Sequence, residues 1–443
     1  MPFDDRDFPG LPKGERASSP RSRRLVATWL YGVAGMIFVM VALGGATRLS
    51  GSGLSIMEWA PVTGIVPPMS DAEWHRLYGL YQQIPQYSLL HGDGFGLADF
   101  KRIFWLEWFH RLWGRLIGAA FLVPLIWLAA TGRLERSLTP RLVAFFVLGG
   151  LQGAVGWFMV KSGFFPDAIA VEPIRLVIHL VLALILYSVV LWTALTLLPP
   201  GPGIFAAGRV LKGLTWTTVG LVALTIVAGG FVAGLHAGLV YNTFPLMDGQ
   251  LVPEGYSGLE PLVSNFVANI SAVQFNHRLL ASLTLLAALG LVVAAWPYRD
   301  RLGWRAAFIG CAVLAQYGLG VATLLLAVPV GLAVMHQIGA TVLLTSALLI
   351  AHAVRFAPWR VGRGQIPRAI NASGHGQTAQ RTPFHGSTTP LAAPRATAPK
   401  STAPRSAKPR SAGPRSTAPR SNVPGSPDRT SPDRTSNLED PKT

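Results

Sequence analysis

Residues 107–130 read EWFHRLWGRLIGAAFLVPLIWLAA. Most of this stretch is apolar, and about 20 apolar residues in a helix are enough to cross the hydrocarbon core of a bilayer. Its first turns nevertheless carry Glu107, His110 and Arg111. Ionisable groups are costly inside a membrane and usually mark a functional interior. The stretch therefore predicts a membrane-spanning helix that carries chemistry near one end.

The composition of the whole chain points the same way. Of its 443 residues, 50% are hydrophobic and only 13% are charged, and the mean hydropathy is +0.40. Soluble domains carry about 25% charged residues, so a soluble multidomain enzyme is disfavoured. The one cysteine, Cys311, cannot form an internal disulfide or a cysteine-based metal cluster. Redox chemistry would therefore need another cofactor.

Apolar stretches long enough to span a bilayer recur eight times along the chain. No cleavage pattern follows the first one, which we interpret as an uncleaved helix. The fold class predicted is an all-α integral membrane protein with eight transmembrane helices. The predicted spans are Leu25–Thr47, Glu107–Ala130, Arg141–Val160, Pro173–Leu198, Gly213–Gly234, Ala272–Trp296, Arg305–Val328 and Val330–Val354.

The short loops indicate the orientation in the membrane. Lysine and arginine are concentrated before the first span and after every even-numbered one, whereas loop 235–271 contains none. Cytoplasmic loops carry the excess of basic residues. Both termini are therefore predicted to be cytoplasmic. The basic loop residues are Arg133, Arg136, Arg141, Arg209, Lys212, Arg299, Arg301, Arg305, Arg355 and Arg360.

An internal repeat relates the two halves of the chain. FHRLWGRLIG, with His110 and Arg111, matches FNHRLLASL, with His277 and Arg278. We predict two pseudo-symmetric four-helix bundles, as inverted or parallel repeats commonly form in membranes. The further matches are Gly44-Gly45 with Gly229-Gly230, Gln152 with Gln316, and His179 with His336. The predicted segments are 1–24 (cytoplasmic), 25–198 (first half), 199–212 (cytoplasmic linker), 213–355 (second half) and 356–443 (basic tail).

The basic tail explains about half of the net charge of +17, because residues 361–443 hold 13 Lys and Arg against 4 Asp and Glu. It is rich in Pro, Ser, Thr, Ala and Arg and has few apolar residues to bury, so it is predicted to be disordered. It either attaches to anionic lipid headgroups or a partner, or is an unconstrained extension. No nucleic-acid partner is indicated.

Four histidines lie in the outer part of predicted spans: His110, His179, His277 and His336; His352 lies near the cytoplasmic end of the last span. Each of the four is near the outer end of an even-numbered span, so all four share one depth. A lone intramembrane histidine is usually a hydrogen-bonded helix contact. Four at one depth, two in each repeat, favour haem ligation, since neutral imidazole binds haem iron axially. Zinc or copper is the competing interpretation, but no cysteine or carboxylate completes a tetrahedral set in the second half.

The two halves differ in acid–base chemistry. Glu107 precedes His110 by three residues and shares its helix face, whereas Gln274 occupies the matching place before His277. A proton-exchanging group beside the first pair alone indicates that the first half does chemistry and the second holds a permanent cofactor. The alternative, compatible with it, is that Glu107 forms an ion pair with Arg111 or Arg115.

Four arginines are candidate partners for haem propionates or for acid–base groups, because the guanidinium fork matches a carboxylate. Snorkelling to lipid headgroups is the alternative. These arginines are Arg48, Arg111, Arg115 and Arg278. The loop 48–106 that follows Arg48 is too apolar for a free loop, and we expect it to cover the outer mouth of the bundle.

Taken together, these residues resemble the haem A synthase family of the proteobacterial and mitochondrial kind. The resemblance covers residues 25–355. It is carried by GGATRLSGSGLSIMEW (44–59), EWFHRLWGR (107–115), GLVYNTFPLMDG (238–249), FNHR (275–278) and the four spaced histidines. The Gram-positive branch carries a cysteine pair in its outer loop that this chain lacks, so a mechanism through those thiols is not expected.

The resemblance implies a membrane-bound, haem-dependent oxidoreductase of the bacterial inner membrane that oxidises the C8 methyl of haem O to a formyl group by successive hydroxylations, giving haem A for cytochrome oxidase. It implies that His277 and His336 ligate a haem b cofactor in the second half. It also implies that His110 and His179 ligate the substrate haem, with Glu107 as the catalytic residue beside the reacting methyl.

The partners implied are haem O, membrane lipid, a haem O synthase and cytochrome oxidase assembly factors, and a homo-oligomer is compatible with the sequence. Two other functions compete. A non-catalytic membrane cytochrome b electron carrier accounts for the histidines but not for Glu107 or the elaborate outer loop. A haem transporter is favoured by the repeats and by a site near the outer face, but it also leaves Glu107 unexplained.

Overall fold

The computed structural model of the protein describes residues 19–91, 94–166, 168–198 and 207–355. Within these ranges the chain is helical apart from turns and one isolated bridge between Met247 and Gln250. The α-helices are α1 (Pro20–Leu49), α2 (Asp71–Tyr81), α3 (Pro85–Leu90), α4 (Leu97–Ala130), α5 (Thr139–Ser162), α6 (Pro173–Leu197), α7 (Arg209–Gly234), α8 (Ile270–Ala295), α9 (Arg299–Leu325) and α10 (Val330–Arg355).

Seven helical stretches in the described part of the chain are long and apolar enough to cross a membrane. One of them, Ile270–Leu325, has 56 residues and comprises α8 and α9, which are joined by a single 3-10 turn at Trp296–Tyr298. The prediction of an all-α, multi-pass membrane protein is confirmed. The sequence predicts eight separate spans, one more than the seven stretches, because no extended linker separates α8 from α9 and the two helices form one stretch.

Helix α4 begins at Leu97, ten residues before the predicted start at Glu107. The Asp99 carboxylate accepts a hydrogen bond from the Gly96 backbone N–H at 3.2 Å and so caps the first turn. The additional turns bury Phe100 and Phe104 against the outer loop. Sequence hydropathy missed this extension because Asp99 and its basic neighbours make it look like a loop.

One apolar core runs through all eight long helices. Helix α1 packs against α4 and α6 of its own half and also against α10, while α7 packs against α8, α10 and also α6. The first helix of each half therefore contacts the last helix of both halves. The fully buried core residues include Leu30, Leu128, Leu142, Val190, Leu291, Leu302, Ile309 and Ile350.

The segment between α1 and α4 is a packed cover with a core of its own. Tyr81 and Phe100 are fully buried, and Trp74 stacks edge-on against Phe104 at 4.9 Å between ring centroids. Polar contacts tie the segment together, for example Tyr78, whose hydroxyl donates to the Phe95 carbonyl at 2.6 Å. This cover positions the residues that follow α1 over the outer part of α4.

Several predictions fall outside the described residues. The basic tail, 356–443, lies wholly outside them, as do most of the N-terminal segment and residues 199–206 of the linker.

Candidate functional site

Each of the four intramembrane histidines packs its ring against a glycine of a neighbouring helix. A Cβ added at any of these glycines would lie 2.8–3.0 Å from the histidine Cε1 atom. Real Cβ atoms essentially never approach so closely, so a larger residue would displace the ring. The contacts join Gly44 (α1) to His110 (α4), Gly156 (α5) to His179 (α6), Gly229 (α7) to His277 (α8), and Gly320 (α9) to His336 (α10).

The second pair leaves a gap that suits a metal ion. The ring centroids of His277 and His336 are 6.4 Å apart and their planes lie at 87°. Two metal–nitrogen bonds of about 2.0–2.1 Å, plus about 1.1 Å from each nitrogen to its ring centre, would separate the centroids by about 6.3 Å. The spacing therefore fits an iron held between the two rings.

The tautomer of His277 is set by its partner. His277 Nδ1 lies 3.1 Å from the Thr225 carbonyl oxygen, and a carbonyl can only accept a hydrogen bond. Nδ1 must therefore carry the proton and donate it. The other ring nitrogen, Nε2, keeps its lone pair, as a metal ligand requires.

The rings of the first pair, His110 and His179, also rest on glycines, but one of their Nδ1 atoms has no hydrogen-bond partner among the described residues. The Nδ1 atom of His110 is buried and has no hydrogen-bond partner within the described ranges. His179 Nδ1 lies 3.2 Å from the amide nitrogen of Gln152. Buried polar atoms are rarely left unpaired, so the orphaned nitrogen of His110 is compatible with a ligand between these helices. Both pairs thus fit haem, the first with one ring nitrogen unsatisfied.

Glu107 lies one turn before His110 and is only 3% exposed. Its Oε2 accepts hydrogen bonds from the Ser55 hydroxyl at 2.7 Å and the Ile56 backbone N–H at 2.9 Å. Its Oε1 accepts from Arg111 Nε at 3.0 Å and from Nη2 at 2.6 Å. The carboxylate therefore joins the outer cover to α4, and it forms the ion pair with Arg111 that the sequence offered as an alternative.

The second half repeats this contact with an amide in place of the carboxylate. Gln274 is 2% exposed, and its amide nitrogen donates to the Ala237 carbonyl at 2.8 Å. Arg278 donates to Gln274 Oε1 at 3.2 Å and to the Tyr241 and Thr243 carbonyls at 2.6 and 2.9 Å. The two positions thus share a structural task, holding the outer loop. Only the residue in the first half can also exchange a proton.

The arginines mostly bind loop carbonyls. Arg111 reaches the Ile56 and Glu58 carbonyls, at 2.6 and 3.0 Å, in addition to Glu107. Arg115 donates to the Ala60 and Pro61 carbonyls at 2.7 and 2.9 Å. Its Nη1 is buried without a partner in the part of the chain that the structure describes. This one donor of Arg115 is therefore unsatisfied by protein.

Arg48, in the last turn of α1, lies near His236 in the loop that follows α7. Burial, and after it the positive charge of Arg48, lowers the pKa of His236 below its ordinary value. His236 is therefore held neutral, and Arg48 remains the cation at this point between the halves.

A cavity of about 340 Å³ opens beside the Glu107–Arg111 pair, between the cover and α4. Met69 and Trp108 form part of its apolar wall, and Arg111 and Arg115 form part of its polar wall. Across the cavity, hydrogen bonds from Arg76 lower the pKa of Glu58 below its usual value. The cover and α4 therefore leave space beside Arg111, the ion-pair partner of Glu107.

Among the described residues, no three or more His, Cys, Asp or Glu side chains converge to hold a metal ion. The internal repeat aligns Gln152 with Gln316 but indicates no role for either residue. It indicates none for Ser55 either. The glycine partners of the histidines were visible in the sequence only as part of the repeat.

A family model described as a cytochrome oxidase assembly protein, COX15-CtaA, matches residues 27–348. A protein of Granulibacter bethesdensis named "Heme A synthase" is 59% identical over 342 residues, which cover 76% of this chain and 89% of the relative. One of Rhodospirillum centenum with the same name is 46% identical over 76% of this chain and 90% of the relative. "Heme A synthase 2" of Acidiphilium cryptum is 44% identical over 75% of this chain and 92% of the relative.

Proposed function

The chain belongs to the COX15-CtaA family of cytochrome oxidase assembly proteins, and from that premise we propose that it is a haem A synthase, an oxidoreductase that converts haem O to haem A. The C8 methyl of haem O becomes a formyl group through successive hydroxylations, and the product serves cytochrome oxidase. The observation that carries the proposal is the repeated histidine pair with a buried glutamate beside only one of them.

The second half holds the permanent cofactor, haem b, through His277 and His336. The 6.4 Å ring spacing and the Nδ1–H tautomer of His277 support this role. When bound, haem b supplies one-electron transfer. The residues of the chain fix the orientation of the two rings, and the surrounding apolar helices keep water away from them.

The first half binds haem O as substrate through His110 and His179. The glycine contacts of both rings support a ligand there, as does Nδ1 of His110, which has no hydrogen-bond partner among the described residues. The apolar side chains that α4 and α5 expose on their outer faces suit the long hydrocarbon tail of haem O in lipid. The substrate therefore enters from the membrane, while the reacting edge meets the outer cover.

Glu107 is placed to take up one of the two protons released when each hydroxylation replaces a C–H bond of the C8 methyl with a C–OH bond from water; the two electrons released with them would leave through the haem b site to an external electron acceptor. Its burial and its hydrogen bond with Ser55 support this role, since Ser55 can pass a proton between the carboxylate and the reacting water. Arg111 fixes the carboxylate in position through its planar fork. The matching residue of the second half, Gln274, cannot accept a proton in this way, which supports chemistry in the first half.

Arg48 and Arg115 are the arginines best suited to bind haem propionates. The charge of Arg48 lies between the halves near a neutral histidine, and Arg115 keeps one buried donor without a partner in the part of the chain that the structure describes. Arg111 and Arg278 hold the outer loops instead, so their part in propionate binding is indirect. The propionates would then lie on the outer side of the bundle.

The architecture that accompanies this function has eight transmembrane helices in two pseudo-symmetric four-helix halves, 25–198 and 213–355. The 56-residue stretch Ile270–Leu325 crosses twice, as α8 and α9, since a single bilayer crossing needs only about 20 residues. The protein lies in the bacterial inner membrane with both termini in the cytoplasm, as the distribution of arginine and lysine supports.

The partners follow from the reaction. Haem O must be delivered by the enzyme that makes it, a haem O synthase, and haem A must pass to factors that assemble cytochrome oxidase. A homo-oligomer is compatible with the exposed apolar faces of the helices.

The test of the function is mass analysis of haem extracted from membranes that contain this protein and a source of haem O. Haem A or its hydroxymethyl precursor is the expected product, and unmodified haem O alone would contradict the proposal.

A further inference from the structure

The cavity between the cover and α4 is walled on one side by a single face of that helix. Trp108, Arg111 and Arg115 line it, and their spacing of three and four residues sets their side chains on one face. Glu107 lies one turn before Arg111 and pairs with it at 2.6 Å, and His110 lies three residues after Glu107. The buried carboxylate therefore stands between the histidine face and the cavity face of the same helix.

Two arginines on the cavity wall are neutralised by carboxylates. Arg76 pairs with Glu58 and with Glu73, each at 2.8 Å. Arg111 pairs with the buried carboxylate of Glu107, as described above. Neither arginine therefore leaves a positive charge that needs an anion from outside the protein.

Arg115 differs, because its guanidinium donates to neutral groups, the carbonyls of Ala60 and Pro61, at 2.7 and 2.9 Å. No carboxylate of the described residues forms an ion pair with it. The cover leaves room for the guanidinium at Gly64, where a Cβ would lie 2.9 Å from Arg115 Nη2. A partly buried cation without a counter-ion is costly. The cavity therefore holds a positive charge that an anion would balance.

Two hydrogen-bond donors on this wall are also unsatisfied. Arg115 Nη1 and the indole nitrogen of Trp108, Nε1, are buried and have no hydrogen-bond partner among the described residues. Both groups can only donate, and buried donors are rarely left unpaired, so what completes them is an acceptor. A positive charge and two unsatisfied donors beside a cavity of about 340 Å³ therefore indicate an anion with oxygen acceptors, as a carboxylate has.

The substrate of the proposed function carries such a group beside its reacting carbon. In haem O the C8 methyl and one of the propionates are attached to adjacent carbons of one pyrrole ring. When the methyl faces Glu107, this propionate leaves the ring on the same edge, only a few bonds away. The cavity begins at Arg111, whose guanidinium holds Glu107. A phospholipid phosphate offers similar acceptors, but nothing ties it to the edge of the haem that reacts.

We propose that the cavity binds the propionate that neighbours the C8 methyl, through Arg115 and Trp108, and that this contact positions the methyl at Glu107. The inference rests on the proposed function, because it presupposes haem O at His110 and His179. It adds Trp108 as a positioning residue and gives the cavity an occupant. It also accounts for selectivity, because ring methyls without a neighbouring propionate cannot reach Glu107 while a propionate fills the cavity.

The test compares a haem with its propionate ester as ligands of the full-length protein. Protein purified in detergent with its resident haem b is titrated with iron protoporphyrin IX, which carries the same propionates as haem O, or with its dimethyl ester. The absorbance change gives each affinity, and a variant with both His110→Ala and His179→Ala gives the background. The wild type should bind the free acid roughly 10–100-fold more tightly than the ester, because hydrogen bonds to a charged group are the stronger ones.

The variants locate this preference. Arg115→Gln should reduce the ratio of the two affinities by roughly 10-fold or more, and Trp108→Phe, which keeps an aromatic ring, by roughly 2–10-fold. Both should leave the affinity for the ester unchanged, whereas a purely structural role would weaken the acid and the ester alike. The matched control is Arg102→Gln on the same helix, which should keep the wild-type ratio because Arg102 is 81% exposed.

Three results would overturn the inference: equal affinities of the wild type for acid and ester, an equal loss for both ligands in Arg115→Gln, or an undiminished ratio in Trp108→Phe. The last keeps the test decisive even if Arg115→Gln does not fold. Failure of the proposed function looks different. In that case the wild type would bind added haem no better than the variant that lacks His110 and His179.

Discussion

The rings of His277 and His336 stand 6.4 Å apart, centroid to centroid, with their planes at 87°. Neither histidine sets this gap alone, because each ring rests on a glycine of another helix, Gly229 or Gly320. Four helices therefore determine the space between the two rings. Such a site is preorganised, and small changes in the supporting helices should alter haem binding without touching a ligand.

Replacing Gly320 by alanine should cause loss of haem b. The new Cβ would lie 2.9 Å from His336 Cε1, so the ring must move. Displacing a ligand in this way should reduce haem b affinity by roughly 10–100-fold, as measured by the haem-to-protein ratio in the purified protein. Gly318→Ala is the control, since a Cβ at Gly318 meets no atom within 4 Å. Equal haem content in the two variants would refute the contact.

Replacing Arg111 by leucine should release the outer cover from α4. The change leaves Glu107, which is 3% exposed, as a buried carboxylate without its ion-pair partner. Breaking such a pair typically costs about 3–5 kcal/mol. The backbone amide of Ile56, which donates to Glu107 at 2.9 Å, should then exchange its hydrogen faster, as mass spectrometry of the exchanged protein can measure.

The control for this experiment is Arg102→Leu. The side chain of Arg102 is 81% exposed and pairs with Asp99 at 3.4 Å on the surface of the same helix. Exposed pairs of this kind contribute about 0–1 kcal/mol, so the exchange of Ile56 should not change. Unchanged exchange in Arg111→Leu as well would mean that the ion pair does not hold the cover.

Replacing Gly45 by alanine should disturb the contact between the two halves. Gln337, next to His336, donates from its amide to the Val41 carbonyl at 2.7 Å, and a Cβ at Gly45 would lie 2.5–2.9 Å from that amide. Overpacking of this kind costs about 1–3 kcal/mol, so the Tm in detergent should fall.

Gly35→Ala, also in α1, serves as the comparison for Gly45. A Cβ at Gly35 has open space around it, and alanine is the better helix former by about 0.5–1 kcal/mol. The Tm of Gly35→Ala should therefore equal or exceed that of the wild type. If the Tm of Gly45→Ala also equalled or exceeded that of the wild type, the halves would not meet through Gln337.

The long apolar helices could be predicted from the sequence because hydropathy reports on single helices. The cover could be predicted only as a packed segment, since α2 and α3 are short and amphipathic and depend on the buried ring of Tyr81. The contact between Gly320 and His336, and the one between Gln337 and Val41, could not be predicted. Both join separate helices, and the pairing of helices is set by the packing of the whole bundle.

The pairing of Glu107 with Arg111 was one of two predicted alternatives, because residues four apart meet on a helix. The structure adds Ser55 and Ile56, which lie about 50 positions earlier in the chain. No local pattern connects that segment with α4. The task that Glu107 shares with Gln274, holding an outer loop, therefore became visible only in three dimensions.

The most direct test of the central claim is the mass of the haem made by the Glu107→Gln variant when it is produced with a source of haem O. Gln274 already holds an outer loop with an amide, so glutamine at position 107 should preserve the fold and both haem sites. The wild type should yield haem A or its hydroxymethyl precursor, and the variant should retain haem O unmodified. Haem A at the wild-type level in the variant would contradict the role of Glu107.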